Sequence, residues 1–448
     1  MLENLKNKID IDKKTLFRLS KILFLGVLVV GIFLLGLFSP KIFSKKNHEK
    51  KSVMQKIENK HLAFLFGVYT LIQENYWDKI SDEQLVNIFI LASEKLANQK
   101  IEIKTKDKES LKTALLKTIN NIKDNDKKNE FAANLADIVL ANLQPFGRSR
   151  LYSEKQEIDL KNRVENKNPE INQYQILQVD KTASPEAIKK TYEEKSKILL
   201  KQNTPESQQK LAEIKKAYEI LSDNDNRKTY DKSGVEPTME WKLLDLETFY
   251  LHMIKFSPTT IEELVQITQK VDKDPGPHTL ILDLRNNVGG AIDGLPYFLG
   301  PFIGNDQYAY QFYHQGNKED FKTKIGWLPP LVRYKRMIVL INGGTQSSAE
   351  VMAAVIKKYN VGIVVGTPSK GWGTVERVFP LEKQIDDKTK YSVFLVHRLT
   401  TRDDGQPIEG RGVDPVINIT SKNWEKQLNL FFHDSMLIEN IKTVWGKI

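Results

Sequence analysis

Apolar residues recur at intervals of three and four from residue 61 to about residue 150. In "HLAFLFGVYTLIQENYWDKISDEQLVNIFILASEKLANQ" two such runs flank the polar break "DKISDEQ", and "ESLKTALLKTINNIKD" and "NEFAANLADIVLANL" repeat the pattern. A helical period sustained this long predicts an amphipathic helical lead-in of about ninety residues. The spacing stays helical between residues 173 and 234, but the polar faces become rich in Lys and Glu. There "SPEAIKKTYEEKSKILLK" opens with Ser184 as N-cap and Pro185 at the first helical position, and "ESQQKLAEIKKAYEILSD" forms a second helix of similar length. A hairpin of this kind with solvated faces fits a binding module better than a catalyst. From Thr238 the pattern changes again. "TFYLHMIKF", "TLILDLRNN", "MIVLINGG" and "VGIVVGT" are short apolar, β-branched runs, and "SSAEVMAAVIKKY" between the last two is an amphipathic helix. Strands alternating with helices predict an α/β layer with a parallel component.

One further apolar run differs from all of these. "ILFLGVLVVGIFLLGLF", residues 22–38, is uncharged and just long enough to span a bilayer. The following "SPKIFSKK" lacks a small-x-small cleavage site, so an uncleaved anchor is expected in preference to a signal peptide. The basic charge lies around it. Residues 1–60 hold 13 Lys+Arg against 5 Asp+Glu, which leaves eight of the ten net positive charges there. That placement suits anionic lipid next to a membrane span, and the nearly neutral remainder gives no nucleic-acid footprint. With six Lys+Arg before the span and seven after it, charge alone does not orient it. At 448 residues the chain can bury several cores, and the absence of cysteine removes thiol nucleophiles, zinc ribbons and iron–sulfur ligation. No HExxH, P-loop or metal cluster appears, so no cofactor or metal is expected.

Two stretches combine residues that could carry chemistry. In "VLINGGTQSSAEVMAAVIKKY" a buried strand ends in Gly343 and Gly344, a polar turn presents Ser347 and Ser348, and Glu350 lies in the first helical turn. A serine at a helix N-terminus is well placed to attack, because helix-end N–H groups can hold an oxyanion. The same residues are also a common capping signature, so both readings stand. In "LILDLRNNVGG" a second strand runs into Gly289 and Gly290, which allow positive φ and can aim N–H groups into a cleft; an ordinary tight turn reads equally well. Two glycine turns at adjacent strand ends are what acyl transfer needs.

Taken together these stretches resemble the carboxyl-terminal processing peptidases, or tail-specific proteases, serine enzymes with a Ser–Lys dyad. "LILDLRNNVGG" differs from the family's "LILDLRNNPGG" only at Val288, "VLINGGTQSSAEVMAAVI" resembles the nucleophile segment, and "DDGQPIEGRGVDP" resembles the closing segment "sGrsIqGkGItPD". "FLFGVYTLIQENYWDKI" and "GRSRLYSEKQ" resemble the lead-in, so the likeness covers some three hundred of the 448 residues. It implies Ser347 as nucleophile, with an oxyanion hole from the Ser348 N–H and one N–H of the turn at Gly289 and Gly290.

The implied lysine falls 25 positions after Ser347, on Trp372 of "KGWG", and four positions later the chain has Glu376. An indole cannot accept a proton from serine. Lys370, two positions earlier, would share a face with Trp372 if the stretch is extended, and its stem could reach across the roughly 7 Å between them. As a base it would also need desolvation. A histidine used by a related branch would fall on Arg148. His252 and His397 lie in predicted strands and read as packed residues, and Glu409 beside Arg411 reads as an ion pair.

The hairpin segment, "YQILQVDKTASPEAIKKTY" with "LAEIKKAYEILSDNDNRKTYDKSG", resembles a J-domain and lies where the family inserts a PDZ domain. That position implies a peptide-handling or regulatory role. The J-domain tripeptide His-Pro-Asp, in the loop after the second helix, falls on Leu200, Lys201 and Gln202, so no Hsp70 stimulation is expected.

The expected architecture is an α/β (α+β) peptidase core with a helical lead-in, a small all-α J-like domain and one N-terminal transmembrane helix. Its divisions are a basic N-terminus (1–60) with the anchor at 22–38, a helical part (61–170), the J-like domain (171–236) and the peptidase core (237–448). The expected protein is a single-pass, membrane-anchored serine peptidase whose soluble part is extracytoplasmic and whose partners are protein or peptide substrates. The alternative is a pseudopeptidase, a peptide-binding scaffold that has lost its base.

Overall fold

The computed structural model describes residues 59–446 apart from 274, 403 and 404, so the apolar run at 22–38 lies outside the described residues. Among the described residues no helix is long and apolar enough to cross a membrane.

The lead-in is four helices, α1 (Lys60–Asn75), α2 (Asp82–Ala97), α3 (Lys108–Asn121) and α4 (Asn125–Ala141). The polar break between the first two runs is a helix start, where Ser81 caps α2 in a reciprocal box with Gln84. Leu65, Ile72, Phe89, Leu115 and Leu135 form a fully buried core, with Val393 and Leu395 closing it from elsewhere in the chain. Each such side chain contributes roughly 1.5–3 kcal/mol on burial. A short strand β1 (Arg150–Ser153) and helix α5 (Glu154–Val164) follow.

The hairpin region is α6 (Gln173–Leu177), α7 (Pro185–Gln202), α8 (Pro205–Ser222) and α9 (Asn224–Ser233). It has its own small core of Tyr174, Leu177, Ile188, Ile214, Ala217 and Leu221. Ser184 caps α7 and Pro185 opens it, as the sequence predicts. Leu200, Lys201 and Gln202, on which the J-domain tripeptide falls, are the last turn of α7, in keeping with the helical run that ends at Lys201, and so do not lie in a loop. The helical period runs on to Asn203, which ends the helix in the left-handed region at φ 45°, and Thr204 already caps α8. A connection of two residues leaves no room for a loop tripeptide. At its base Lys167 and Val235 form an antiparallel bridge, the Glu236 N–H donates to the Asn166 carbonyl at 3.0 Å, and the Asn166 amide bonds the carbonyls of Glu236 and Pro237.

The main remaining elements, in chain order, are β2 (Met239–Leu243), β3 (Thr248–Met253), α10 (Thr260–Val271), β4 (Thr279–Asp283), α11 (Leu295–Ile303), β5 (Tyr308–His314), β6 (Asn317–Lys322) and β7 (Arg336–Ile341). Then come α12 (Ser348–Lys358), β8 (Ile363–Gly366), β9 (Thr374–Pro380), β10 (Tyr391–Thr401), β11 (Ile417–Asn418), α13 (Trp424–Phe432) and α14 (Ser435–Trp445). Six strands form one sheet in the order β11-β8-β7-β4-β3-β2, parallel except for the β2–β3 pair. Its central strands are buried on both faces, which is why they read as continuous apolar runs. Leu280, Leu282 and Val339 pack under α10, α11 and α12, while Ile281, Ile338 and Leu340 face α13 and α14. The second sheet is antiparallel, in the order β1-β10-β5-β6, with β9 also paired to β10.

Just past the end of β4 lies a buried ion pair. Arg285, 1% exposed, forks onto Asp283 and donates to the carbonyls of Val444 and Trp445 at 2.9 and 3.1 Å, while the Tyr250 hydroxyl donates to Asp283 at 2.8 Å. His252 and His397 lie on β3 and β10 as expected. The His397 Nδ1–H donates to the Asn75 carbonyl at 2.7 Å, and burial pushes the pKa of His397 down to about 4.

His397 is therefore neutral in the fold, and below its ordinary value near 6.5 the unfolded chain binds a proton that the fold rejects. Stability should fall as the pH drops from 6.5 towards 4, by on the order of 2 kcal/mol. Thermal melts across that window should show a shallower acid limb for His397→Asn than for the wild type. The shortened connection after α7 makes a second prediction. In a steady-state phosphate-release assay the protein should leave the ATPase rate of an Hsp70 unchanged.

Candidate active site

Strands β4 and β7 are parallel neighbours, and the segments leaving their carboxyl ends meet. The Thr345 hydroxyl donates to the Leu284 carbonyl at 2.8 Å, the Gln346 N–H to the Asn287 carbonyl at 2.8 Å, and the Asn286 N–H to Asn342 Oδ1 at 3.0 Å. These bonds draw the two predicted turns into one site. Ser347 stands at its centre as the N-cap residue of α12, with φ 54° and ψ −123°. That conformation is sparsely populated for a residue with a side chain and costs on the order of 1–3 kcal/mol. The surrounding bonds must impose it.

Gly289 lies directly against this residue. It has φ 81°, and a Cβ added there would sit 2.6 Å from the Ser347 Cβ, so no larger residue fits without moving the serine. The Gly289 N–H is taken by Asn287 Oδ1 at 2.8 Å. By contrast, neither the Gly290 N–H nor the Ser348 N–H has an acceptor among the described residues. The Ser348 hydroxyl donates to the Gly290 carbonyl at 3.3 Å, which keeps the two residues adjacent. Two unengaged backbone donors beside a serine can hold a developing oxyanion.

Glu350, fully buried one turn into α12, organises the other side. Its Oε2 accepts the N–H groups of Ser347 and Trp372, each at 2.8 Å. Its Oε1 accepts the Ser369 hydroxyl at 2.6 Å and the Gly371 N–H at 2.7 Å. Burial pushes its pKa up, and the four donors pull the other way. The capping role read from the sequence is thus present in part, with Glu350 returning to the Ser347 N–H and also gripping residues 369–372.

Those residues are not a continuous strand. Gly371 takes φ 78° and turns the chain between Lys370 and Trp372, so the alternation expected of an extended segment fails there. The two side chains accordingly lie in different surroundings. Lys370 is exposed, and its N–H donates to the Thr345 carbonyl at 3.0 Å. Trp372 is half-buried, with the Arg148 guanidinium 3.4 Å above its ring and its indole N–H donating to Glu376 at 3.3 Å. Arg148 also pairs with Glu409 at 2.8 Å, and Glu409 accepts the Gly373 N–H at 2.8 Å. Glu409 is therefore an ion-pair residue, as expected, but its partner is Arg148 and not Arg411. Desolvation pushes the pKa of Glu376 up, against hydrogen bonds from Thr374 and Trp372 and the charge of Arg148.

The structure thus brings Ser347, Ser348, Gly289 and Gly290 together and sets Trp372 and Glu376 beside Arg148. It leaves Lys370 at the surface of the same segment. Sequence reasoning did not find Asn287, Asn342 and Ser369, which hold the turns in place. The signal for the two asparagines was their position just past strand ends, where a side-chain amide can close a turn onto backbone. For Ser369 there was no local signal, since its partners Glu350 and Val413 are distant in the chain. Among the described residues no group of three His, Cys, Asp or Glu could hold a metal.

Residues 247–419 match peptidase family S41, and residues 172–231 match the DnaJ domain. The carboxy-terminal processing protease CtpA of Bacillus subtilis is 29% identical over 177 residues, which cover 39% of this chain and 36% of that protein. The carboxy-terminal-processing protease of Bartonella bacilliformis is 29% identical over 187 residues, 40% of each. The chain spans about two fifths of the length of the curated relatives it matches. The photosystem II D1 C-terminal processing protease structure covers 81% of this chain and 94% of its own, at 13% identity and a TM-score of 0.47. Over residues 247–419 the chain is thus similar to peptidase family S41 and to the carboxy-terminal processing proteases, and a stretch similar to the DnaJ domain precedes that region.

Proposed function

We propose that the protein is a serine peptidase that cleaves polypeptides near their carboxyl termini through an acyl-enzyme on Ser347. The observation that carries this reading is the strained Ser347 lying beside two unengaged N–H groups. Backbone strain at a functional residue is maintained only when neighbours over-determine it. In the reaction Ser347 Oγ attacks the scissile carbonyl, and the Ser348 and Gly290 N–H groups receive the oxyanion. Lys370 takes the hydroxyl proton and returns it to the leaving amine, after which water releases the acyl group. An amine becomes a base only when it is desolvated, and on this reading bound substrate covers the exposed Lys370. The run at residues 22–38 anchors the protein with its soluble part outside the cytoplasm, and the DnaJ-type region handles peptide in place of a PDZ domain.

A specific observation favours a second reading. Trp372, at the family's base position, is clasped by Arg148 and Glu376, while Lys370 is exposed. This supports a peptide-binding scaffold with little or no turnover.

A fluorophosphonate probe and a peptide ending in a free carboxylate separate the two. The peptidase reading expects Ser347 to be labelled and the peptide cut, with labelling lost in Ser347→Ala and cleavage reduced about 10²–10⁴-fold in Lys370→Ala. An unlabelled wild type overturns it. The scaffold reading expects no wild-type turnover and a gain of cleavage in Trp372→Lys combined with Arg148→Ala, which reinstates an amine at the base position and frees the space around it. If the wild type cleaves and this variant is slower, the scaffold reading falls.

A further inference from the structure

We propose that Glu350 is the positioning residue that makes the nucleophile and the segment carrying the base position move as one body. The inference rests on the acyl-transfer reading for its kinetic consequence and on geometry for the rest.

The decisive feature is that one oxygen serves both parts. Glu350 Oε2 accepts the N–H of Ser347 and the N–H of Trp372, each at 2.8 Å, although the two residues belong to different elements. Oε1 adds the Gly371 N–H and the Ser369 hydroxyl, which sit on either side of Lys370. A carboxylate has two acceptor oxygens, each able to take two donors, and all four places are filled. No other residue type does this. Glutamine offers one acceptor oxygen and would turn its amide N–H groups towards two of the donors, and aspartate is one methylene too short.

The linkage continues outward. Ser369 Oγ, which donates to Glu350, accepts the Val413 N–H at 2.7 Å, and the Ser369 N–H donates to the Val413 carbonyl at 3.1 Å. The Gly410 N–H reaches the Gly371 carbonyl at 3.0 Å. The closing loop therefore bears on the same segment, and a displacement there is passed through Ser369 and Glu350 to the Ser347 backbone. This chain of bonds bears on the Ser347 backbone and holds it in its strained conformation.

The test is Glu350→Gln in the full-length protein, read by fluorophosphonate labelling and by amide hydrogen exchange. Labelling of Ser347 should slow about 100-fold, the cost of a small misplacement of the attacking group. Exchange at Ser347, Gly371 and Trp372 should speed up together by about tenfold or more, as expected for lost buried hydrogen bonds, while amides of Arg336–Ile341 stay protected. Labelling within threefold of the wild type, or faster exchange in only one of the two segments, overturns the proposal. A purely structural role would loosen β7 as well. If the wild type is never labelled, the acyl-transfer reading fails and the exchange data alone decide the coupling. Should Glu350→Gln not fold, Ser369→Ala removes one donor from Oε1 and must still speed exchange at Ser347; unchanged exchange there refutes the linkage.

Discussion

A charge with almost no solvent is tolerated only when its partners are all in place, and Asp283 with Arg285 imposes that condition on the half of the molecule that holds Ser347. Arg285 spans the end of β4 and the last carbonyls of α14, and Tyr250 on β3 completes the set. Losing one partner of such a pair costs on the order of 3–5 kcal/mol, because the other charge stays buried. The two residues that follow, Asn286 and Asn287, begin the turn that touches Ser347. Docking of the C-terminal helix and placement of that turn therefore share one ion pair, and neither is free to shift alone.

The segment around Trp372 is held by a different kind of contact. A lysine ammonium is compact and solvated, whereas Trp372 presents a flat ring, and the structure answers the ring with the face of Arg148. Stacking of a guanidinium on an indole is worth roughly 0.5–2 kcal/mol, more when water is excluded. Arg148 in turn needs Glu409, and Glu409 takes the Gly373 N–H. The tryptophan, the arginine and the two carboxylates form an internally satisfied set, so a single change at position 372 would leave Arg148 without its aromatic partner.

Much of this was legible in the residues. The change of period near Thr238 separates helical from strand-forming sequence because burial on both faces of a parallel sheet leaves no polar alternation. The glycine turns and Ser347 were visible because they are local, and so was the cap role of Glu350. The reach of Glu350 to Gly371 and Trp372 was not, since hydrogen bonds between residues 21 and 22 positions apart leave no periodic trace. Lys370 illustrates the same limit. Strand alternation was a sound inference from spacing, but one glycine at φ 78° cancels it, and glycine gives no sign of which basin it will occupy. The end of α7 was legible, since the helical run stops at Lys201, but the length of the link to α8 was not, because it depends on where Asn203 enters the left-handed region.

The bridge between Lys167 and Val235 has a meaning of its own. Because the two ends of the inserted region meet side by side, the host fold sees it as little more than a closed turn, whatever lies beyond. Loop-closure entropy grows only slowly with length, so some seventy residues burden the host scarcely more than a short loop would. Such an attachment point is modular in form, because the inserted helices close on their own core and meet the rest of the chain only through two adjacent segments. The joint of this protein is thus defined by the adjacency of its two ends and not by the length of what lies between them.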